Sequence, residues 1–287
     1  MMMHNYLPFR FHYFLSILLF SLTLSIQGQT VTDSVETRWE MFTYDLGNMF
    51  KGMGYSYSRP LHWQGQDWAN FGYTMGGAGL VYLIDTPTSD YFTDMKEDVP
   101  KAFRDFGNEY GSPQRNYMIT GAVYLTGLVT KNEKLRRTGV LLIASASSAG
   151  LLQQILKSAV GRARPLSGYS KDTFDPFWSG DKKFHSFPSG HAIMAMTNAH
   201  AIAKQFSSVW VKAGIYTVGS VPAISRLWEG KHWLSDVLLG AAISIFTVES
   251  IDKYLDSKYS EKYNDNAKNV SWDLNFGPGQ VGVRINF

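Results

Sequence analysis

The chain has 287 residues, of which 15% are aromatic and only 18% are charged, and that charged fraction is low for a soluble protein. Its formal net charge of +3 at pH 7 is too small to indicate a nucleic-acid-binding protein. The sequence contains no cysteine, which excludes disulfides, zinc–thiolate sites and thiol nucleophiles.

The N-terminal residues have the pattern of an export signal. An apolar stretch over 14–26 is followed by Gly28, a small residue at a suitable cleavage position. We therefore expect 1–28 to be a signal peptide and the protein to be exported to the cell envelope. An uncleaved membrane anchor is the alternative, although the apolar run is shorter than the roughly 20 residues of a membrane span.

Helical segments follow the signal. Residues 29–66 carry apolar side chains at helical spacing and predict a peripheral amphipathic helix. Six apolar segments come next, each of a length that suits a helix: 68–84, 116–130, 138–156, 192–203, 213–225 and 237–248. Gly, Ala and Ser are frequent in them, as in helices that approach one another closely. The sequence predicts an all-α fold with a compact bundle of about six core helices within 67–256, and it leaves open whether they span a membrane.

Two connecting stretches, 85–115 and 166–187, are rich in charged, aromatic or turn-forming residues. Long connections of this kind are often functional lids, and a plain connector is the alternative. The last region, 257–287, begins with a polar linker. It ends in two segments of alternating polarity on either side of Gly-Pro-Gly, which predicts a short C-terminal β-hairpin.

The first candidate anion-binding groups lie around two helix ends. Lys157 and Arg164 follow the longest apolar segment, with Arg162 between them as a further candidate cation. Ser189 is a suitable N-cap for the helix that follows it. The first N–H groups of such a helix, next to Gly190, suit an anion.

Candidate chemistry comes from two histidines. His191 lies in the first turn of the helix that Ser189 caps, where it would face a bound anion. His232 and Asp236 are four residues apart and would share one helix face. A carboxylate beside one imidazole nitrogen can fix the tautomer and leave the other nitrogen free as a nucleophile.

Together these stretches resemble the three-part signature of the type-2 phosphatidic acid phosphatase and vanadium haloperoxidase superfamily. The resemblance covers roughly 157–236. Eleven positions match at the internal spacings of that signature: Lys157, Arg164, Pro165, Pro188, Ser189, Gly190, His191, Ser225, Arg226, His232 and Asp236.

The resemblance implies a phosphatase that works through a phosphohistidine intermediate. His232 would be the nucleophile, and Asp236 would orient it and balance its charge. His191 would protonate the leaving oxygen and later accept a proton from water. The phosphoryl oxygens would be held by Lys157, Arg164, Ser189, Gly190 and Arg226.

Phosphoryl transfer needs positioning and neutralised charge, and two arginines and a lysine can supply the neutralisation. Because no metal-ligand spacing stands out in the sequence, we expect a metal-independent enzyme without a cofactor. The apolar bundle and the aromatic 166–187 stretch favour a lipid phosphate as substrate, with the site at the outer face of the cytoplasmic membrane. The alternatives are a soluble, broad-range acid phosphatase of the periplasm, a vanadium-dependent haloperoxidase and a non-catalytic envelope protein.

Overall fold

The structure, a computed structural model, describes residues 36–177, 180–263, 271–277 and 280–286. The predicted signal peptide, 1–28, lies outside these residues. The described residues form nine α-helices: α1 (Arg38–Ser58), α2 (Gly65–Leu83), α3 (Asp85–Asp94), α4 (Lys101–Tyr110), α5 (Pro113–Thr130), α6 (Glu133–Val160), α7 (Gly190–Ala203), α8 (Val209–Trp228) and α9 (Leu234–Tyr263). All six predicted apolar segments are helical, so the prediction of an all-α core is confirmed.

Capping residues fix the helix ends that matter for the site. Polar side chains cap the N-termini of α6, α7 and α8 by accepting a hydrogen bond from a first-turn N–H: Asn132, Ser189 and Ser208. At the other end of α6, Gly161 adopts a left-handed backbone with φ of 58°. This conformation is favourable for glycine and ends the helix, so the chain turns sharply away just after Lys157.

α6 is the central helix, because it packs against α1, α5, α7 and α9. Leucines from α6 and residues of α9 form the largest apolar cluster, which includes Leu141, Leu142, Val248 and Leu255. α7 packs against α6, α8 and α9. As a result, the C-terminal end of α6 lies near the N-termini of α7 and α9.

The prediction that 85–115 is a long connecting loop is wrong. The stretch contains α3, a 3-10 turn at Met95–Asp98 and α4. Helix α4 places Phe106 and Tyr110 on one face, where their rings stack with centroids 5.2 Å apart. Burial of this face stabilises a short helix whose remaining surface is charged, and α4 packs against α8. The 166–187 stretch is largely irregular where the structure describes it.

Two of the described helices, α6 and α9, are long and apolar enough to cross a membrane by length and composition. After α9, strands β1 (Ser271–Gly277) and β2 (Gln280–Asn286) pair antiparallel, with Ser271 opposite Asn286. Their connecting residues, 278–279, lie outside the described residues, and the C-terminal hairpin as a unit stays a prediction.

Candidate active site

Two of the predicted cations lie at the exit of α6. Lys157 is in the last turn of the helix, and Arg164 follows after the turn at Gly161. The Arg164 side chain donates from Nη2 to the carbonyl oxygen of His185 at 3.3 Å, and its buried Nε has no hydrogen-bond partner among the described residues. Its partner is a neutral carbonyl, so the positive charge of Arg164 remains available to an anion.

Arg162, the further candidate cation, has a different role. Its guanidinium is 3% exposed and forms ion pairs with Asp85 at 2.9 Å and Asp236 at 2.7 Å. It also donates to Ser235 Oγ at 2.9 Å. Two buried carboxylates therefore balance its charge, and the interpretation of Arg162 as an extra phosphate-binding cation is wrong.

His232 is 5% exposed and lies in the loop before α9. Its Nδ1 is within hydrogen-bond distance of the main-chain oxygen of Ser186. Because a carbonyl oxygen only accepts, Nδ1 carries the proton and donates it. In the neutral ring, Nε2 is therefore unprotonated, and its lone pair is free for attack.

Asp236 does not make the contact with His232 that the four-residue spacing suggested. The spacing would bring the two side chains together only on a helix, and α9 begins at Leu234, after His232. The Asp236 carboxylate instead accepts from Ser186 Oγ at 2.5 Å and from the Trp233 N–H at 3.1 Å. Ser186 thus lies between the acid and the imidazole: its hydroxyl donates to Asp236, and its main-chain oxygen accepts from His232.

The N-terminus of α7 brings the second motif to the same place. The Ser189 N–H donates to the main-chain oxygen of Asp236 at 3.1 Å, and its Oγ accepts from the Ala192 N–H at 3.4 Å. Gly190 is the first residue of α7, where N–H groups have no partner within the helix. His191 donates from Nε2 to the main-chain oxygen of Asn108 at 3.2 Å, so in the neutral ring Nδ1 carries no proton and has a free lone pair.

Arg226 lies in the last turn of α8 and is 6% exposed. Ser225 Oγ accepts from its Nε at 3.1 Å and from its Nη2 at 2.9 Å. Nη2 also donates to the side-chain oxygen of Asn108. Like Arg164, Arg226 is held by neutral acceptors and keeps its positive charge.

The same three cations, Lys157, Arg164 and Arg226, lie close enough to both histidines to act on their pKa values. Burial lowers the pKa of His191 to about 4, with Arg226, Lys157 and Arg164 contributing in the same direction. Burial also holds the pKa of His232 well below its usual value, again with repulsion from the same three cations. Both imidazoles are therefore neutral at pH 7, in a pocket whose net charge is positive and suits an anion.

Three residues of the site were not among those predicted from the sequence. Ser186 and Asn108 contact the two histidines through main-chain oxygens, which every residue has, so the sequence gave no signal for these contacts. Asp85 directly follows the apolar 68–84 segment. That position was a usable signal for a buried carboxylate, which needs a cationic partner. Among the described residues, no group of three or more His, Asp or Glu side chains is arranged to hold a metal ion.

Comparison with known proteins relates this arrangement to a family. Residues 138–251 match the sequence model of the PAP2 superfamily, and this range contains every signature residue described above. Over this segment, which is less than half of the chain, the protein resembles the PAP2 superfamily. The resemblance predicted from the three-part signature is thus confirmed.

Two PAP2 relatives share part of their length with the chain. A lipid A 1-phosphatase of Rhizobium etli is 34% identical over 108 residues, which are 36% of this chain and 44% of that protein. An undecaprenyl-diphosphatase of Sulfolobus acidocaldarius is 28% identical over 135 residues, which are 44% of this chain and 61% of that protein. The chain therefore spans less than two thirds of either relative.

A crystal structure of Aquifex aeolicus LpxE is 21% identical and has a TM-score of 0.41, over 57% of this chain and 94% of that chain.

Proposed function

We propose that this protein is a metal-independent phosphatase that hydrolyses a lipid phosphomonoester or diphosphate through a phosphohistidine. One observation carries the proposal: hydrogen bonds bring the second and third signature motifs together. The Ser189 N–H donates to the main-chain oxygen of Asp236 at 3.1 Å, and Asn108 accepts from both His191 and Arg226. Three charged cations around two neutral imidazoles can neutralise the oxygens of a phosphoryl group, which is the main requirement of phosphoryl transfer.

In the first step, His232 Nε2 attacks phosphorus while the bond from phosphorus to the leaving oxygen breaks. The Nδ1 proton stays on His232, where the Ser186 carbonyl oxygen accepts its hydrogen bond as the ring becomes positive. When the phosphate anion binds, it raises the pKa of His191, and Nδ1 takes up a proton from solvent. His191 then gives this proton to the leaving oxygen. The product is a phosphohistidine and a free lipid alcohol, or a lipid monophosphate if the substrate is a diphosphate.

In the second step, His191 Nδ1 takes a proton from water, the water oxygen attacks phosphorus, and the bond to His232 Nε2 breaks. This releases inorganic phosphate and restores the neutral His232. One imidazole thus serves as acid and then as base, a role that contributes about 10²–10⁴-fold in typical enzymes. The three cations hold the equatorial oxygens in both steps, with Ser189 and the Gly190 N–H adding hydrogen bonds.

A lipid substrate is supported by apolar surface on several helices. Helix α2 buries only Ala78 and exposes large apolar side chains, among them Trp68, Tyr73, Leu80 and Leu83. Exposed apolar surface on this scale is typical of protein that faces lipid or a partner. The PAP2 relatives named above also have lipid phosphates in their names, a lipid A 1-phosphatase and an undecaprenyl-diphosphatase.

We further propose a cell-envelope location that follows from this substrate. The signal peptide at 1–28 would export the chain, and the peripheral segment 29–66 would cover the compact helical bundle of the 67–256 core. The 257–287 linker and hairpin would follow the core. The bundle would lie in the cytoplasmic membrane with its active site at the outer face.

The test compares lipid and soluble substrates on one protein preparation. Phosphate release is measured from lipid A 1-phosphate, undecaprenyl diphosphate and a soluble aryl phosphate, on detergent-extracted and on wash-released fractions. We expect activity in the detergent fraction and a higher kcat/KM for at least one lipid. Activity confined to the washed fraction, with the aryl phosphate preferred, would support the soluble acid phosphatase instead.

A further inference from the structure

The C-terminal turn of α4 contacts two separate parts of the candidate site. The main-chain oxygen of Asn108 accepts a hydrogen bond from His191 Nε2 at 3.2 Å. The side-chain oxygen of the same residue accepts from Nη2 of Arg226. One residue outside the PAP2 match at 138–251 therefore connects the proton donor on α7 with a phosphate-binding arginine on α8.

Glycines on either side of Asn108 allow this close approach. A Cβ on Gly111 would lie 2.7 Å from His191 Cδ2, and a Cβ on Gly107 would lie 2.7 Å from Ser225 Oγ. Any larger residue at these positions would push α4 away from α7 and α8. The two glycines thus bring the Asn108 carbonyl and amide within reach of their partners.

The charge of the partner separates Arg226 from Arg162. Arg162 is paired with two carboxylates, Asp85 and Asp236, which neutralise its charge. Among the described side chains, Arg226 donates hydrogen bonds only to neutral oxygens, those of Asn108 and Ser225. A neutral acceptor orients a guanidinium without cancelling its charge, whereas a carboxylate would compete with a phosphate for it.

We propose that Asn108 is a positioning residue that aims Arg226 and His191 at the substrate phosphate, and that its neutral side chain keeps Arg226 available to bind that phosphate. The inference rests on the proposed function, because it assigns Asn108 a part in the same site. It also explains why a short helix before the signature residues packs against α8 at this point.

The test uses Asn108→Asp and Asn108→Ala, with Asn70→Asp as the matched control. Asn108→Asp keeps the size and the accepting oxygen but adds a carboxylate beside Arg226. Asn108→Ala removes the acceptor and leaves the charge of Arg226 unchanged. Asn70→Asp makes the same chemical change at an exposed position of α2. Affinity for orthovanadate, an oxyanion probe, is measured by calorimetry, and kcat and KM are measured with the best substrate.

We expect Asn108→Asp to weaken orthovanadate binding tenfold or more, since its carboxylate competes for Arg226. Asn108→Ala should weaken binding by less than threefold and should lower kcat about tenfold. Arg226 keeps its charge in this variant but loses the hydrogen bond that orients its guanidinium. Histidine NMR should show the pKa of His191 rising in Asn108→Asp alone. Lys157 and Arg164, the other cations that act on His191, are unchanged in every variant.

A merely structural Asn108 gives a different result. Both variants would then melt at lower temperature, while the folded protein would bind orthovanadate as tightly as the wild type, and that outcome overturns the proposal. An equal loss of affinity in Asn70→Asp would also overturn it. If the wild-type chain binds orthovanadate but releases no phosphate from any substrate, the proposed function fails, and the binding data still decide the role of Asn108.

Discussion

Replacing Arg162 with methionine tests the division between structural and phosphate-binding cations. The Arg162 guanidinium donates to Asp85 at 2.9 Å, Asp236 at 2.7 Å and Ser235 Oγ at 2.9 Å. Both carboxylates are 0% exposed. Arg162→Met keeps much of the apolar volume of the side chain and removes the charge between them.

The size of the effect follows from the burial of the two acids. Asp85 keeps hydrogen bonds from Ser235 at 2.9 and 2.5 Å, and Asp236 keeps those from Ser186 and Trp233. Among the described residues, neither acid then keeps a cationic side chain as an ion-pair partner. Breaking a buried pair by removing one partner costs about 3–5 kcal/mol. For a chain of this size, that loss lowers Tm by about 6–20 °C.

The assay is thermal unfolding of the purified protein in one detergent, with Arg104→Met as the control. Arg104 pairs at 3.2 Å with Glu97, which is 81% exposed, and a surface pair of this kind contributes about 0–1 kcal/mol. We expect Arg104→Met to melt close to the wild type and Arg162→Met far below it. If Arg162 were instead an unpaired phosphate-binding cation, its removal would reduce the repulsion among the positive charges of the site. An unchanged or higher Tm for Arg162→Met would therefore refute the reasoning.

The remaining predictions concern the reaction itself. His232→Ala should reduce phosphate release by roughly a thousandfold or more with Tm retained, and full activity in that variant would remove the nucleophile assignment. Activity should survive EDTA, because the three cations neutralise the phosphoryl charge, and a steep loss on chelation would contradict this. Phosphate binding at pH 6 should take up a proton, because His191 is neutral when free, with a pKa of about 4, and an arriving anion raises that pKa. Calorimetry in two buffers of different ionisation enthalpy measures the uptake, which should disappear in His191→Ala.

Much of the fold was predictable because long apolar segments of suitable length specify helices. The error at 85–115 came from weighing charged and turn-forming residues above periodicity. Phe103, Phe106 and Tyr110 recur at helical spacing between Pro100 and Gly111, and that pattern was a usable helix signal. A short helix with one apolar face is difficult to recognise in a sequence, because most of its residues are polar or charged.

The residue types of the candidate site were predictable from the signature, but their contacts were not. The sequence predicted that Asp236 would contact His232, and the start of α9 at Leu234 prevents it. Arg162 differs from Arg164 only by its tertiary neighbours, since both are arginines in one short loop. Which of the two is paired with buried carboxylates depends on Asp85, a residue 77 positions earlier in the chain.

Identifying the phosphorylated nitrogen tests the central claim most directly. An aryl phosphate with a good leaving group needs little help from an acid in the first step, so His191→Ala should accumulate the covalent intermediate with that substrate. Rapid quenching with a radiolabelled substrate, followed by peptide mapping, then locates the phosphate. We expect an acid-labile label on Nε2 of His232 that is absent from the His191→Ala/His232→Ala double variant. A label on Nδ1 of His232 or on any other residue would contradict the central claim.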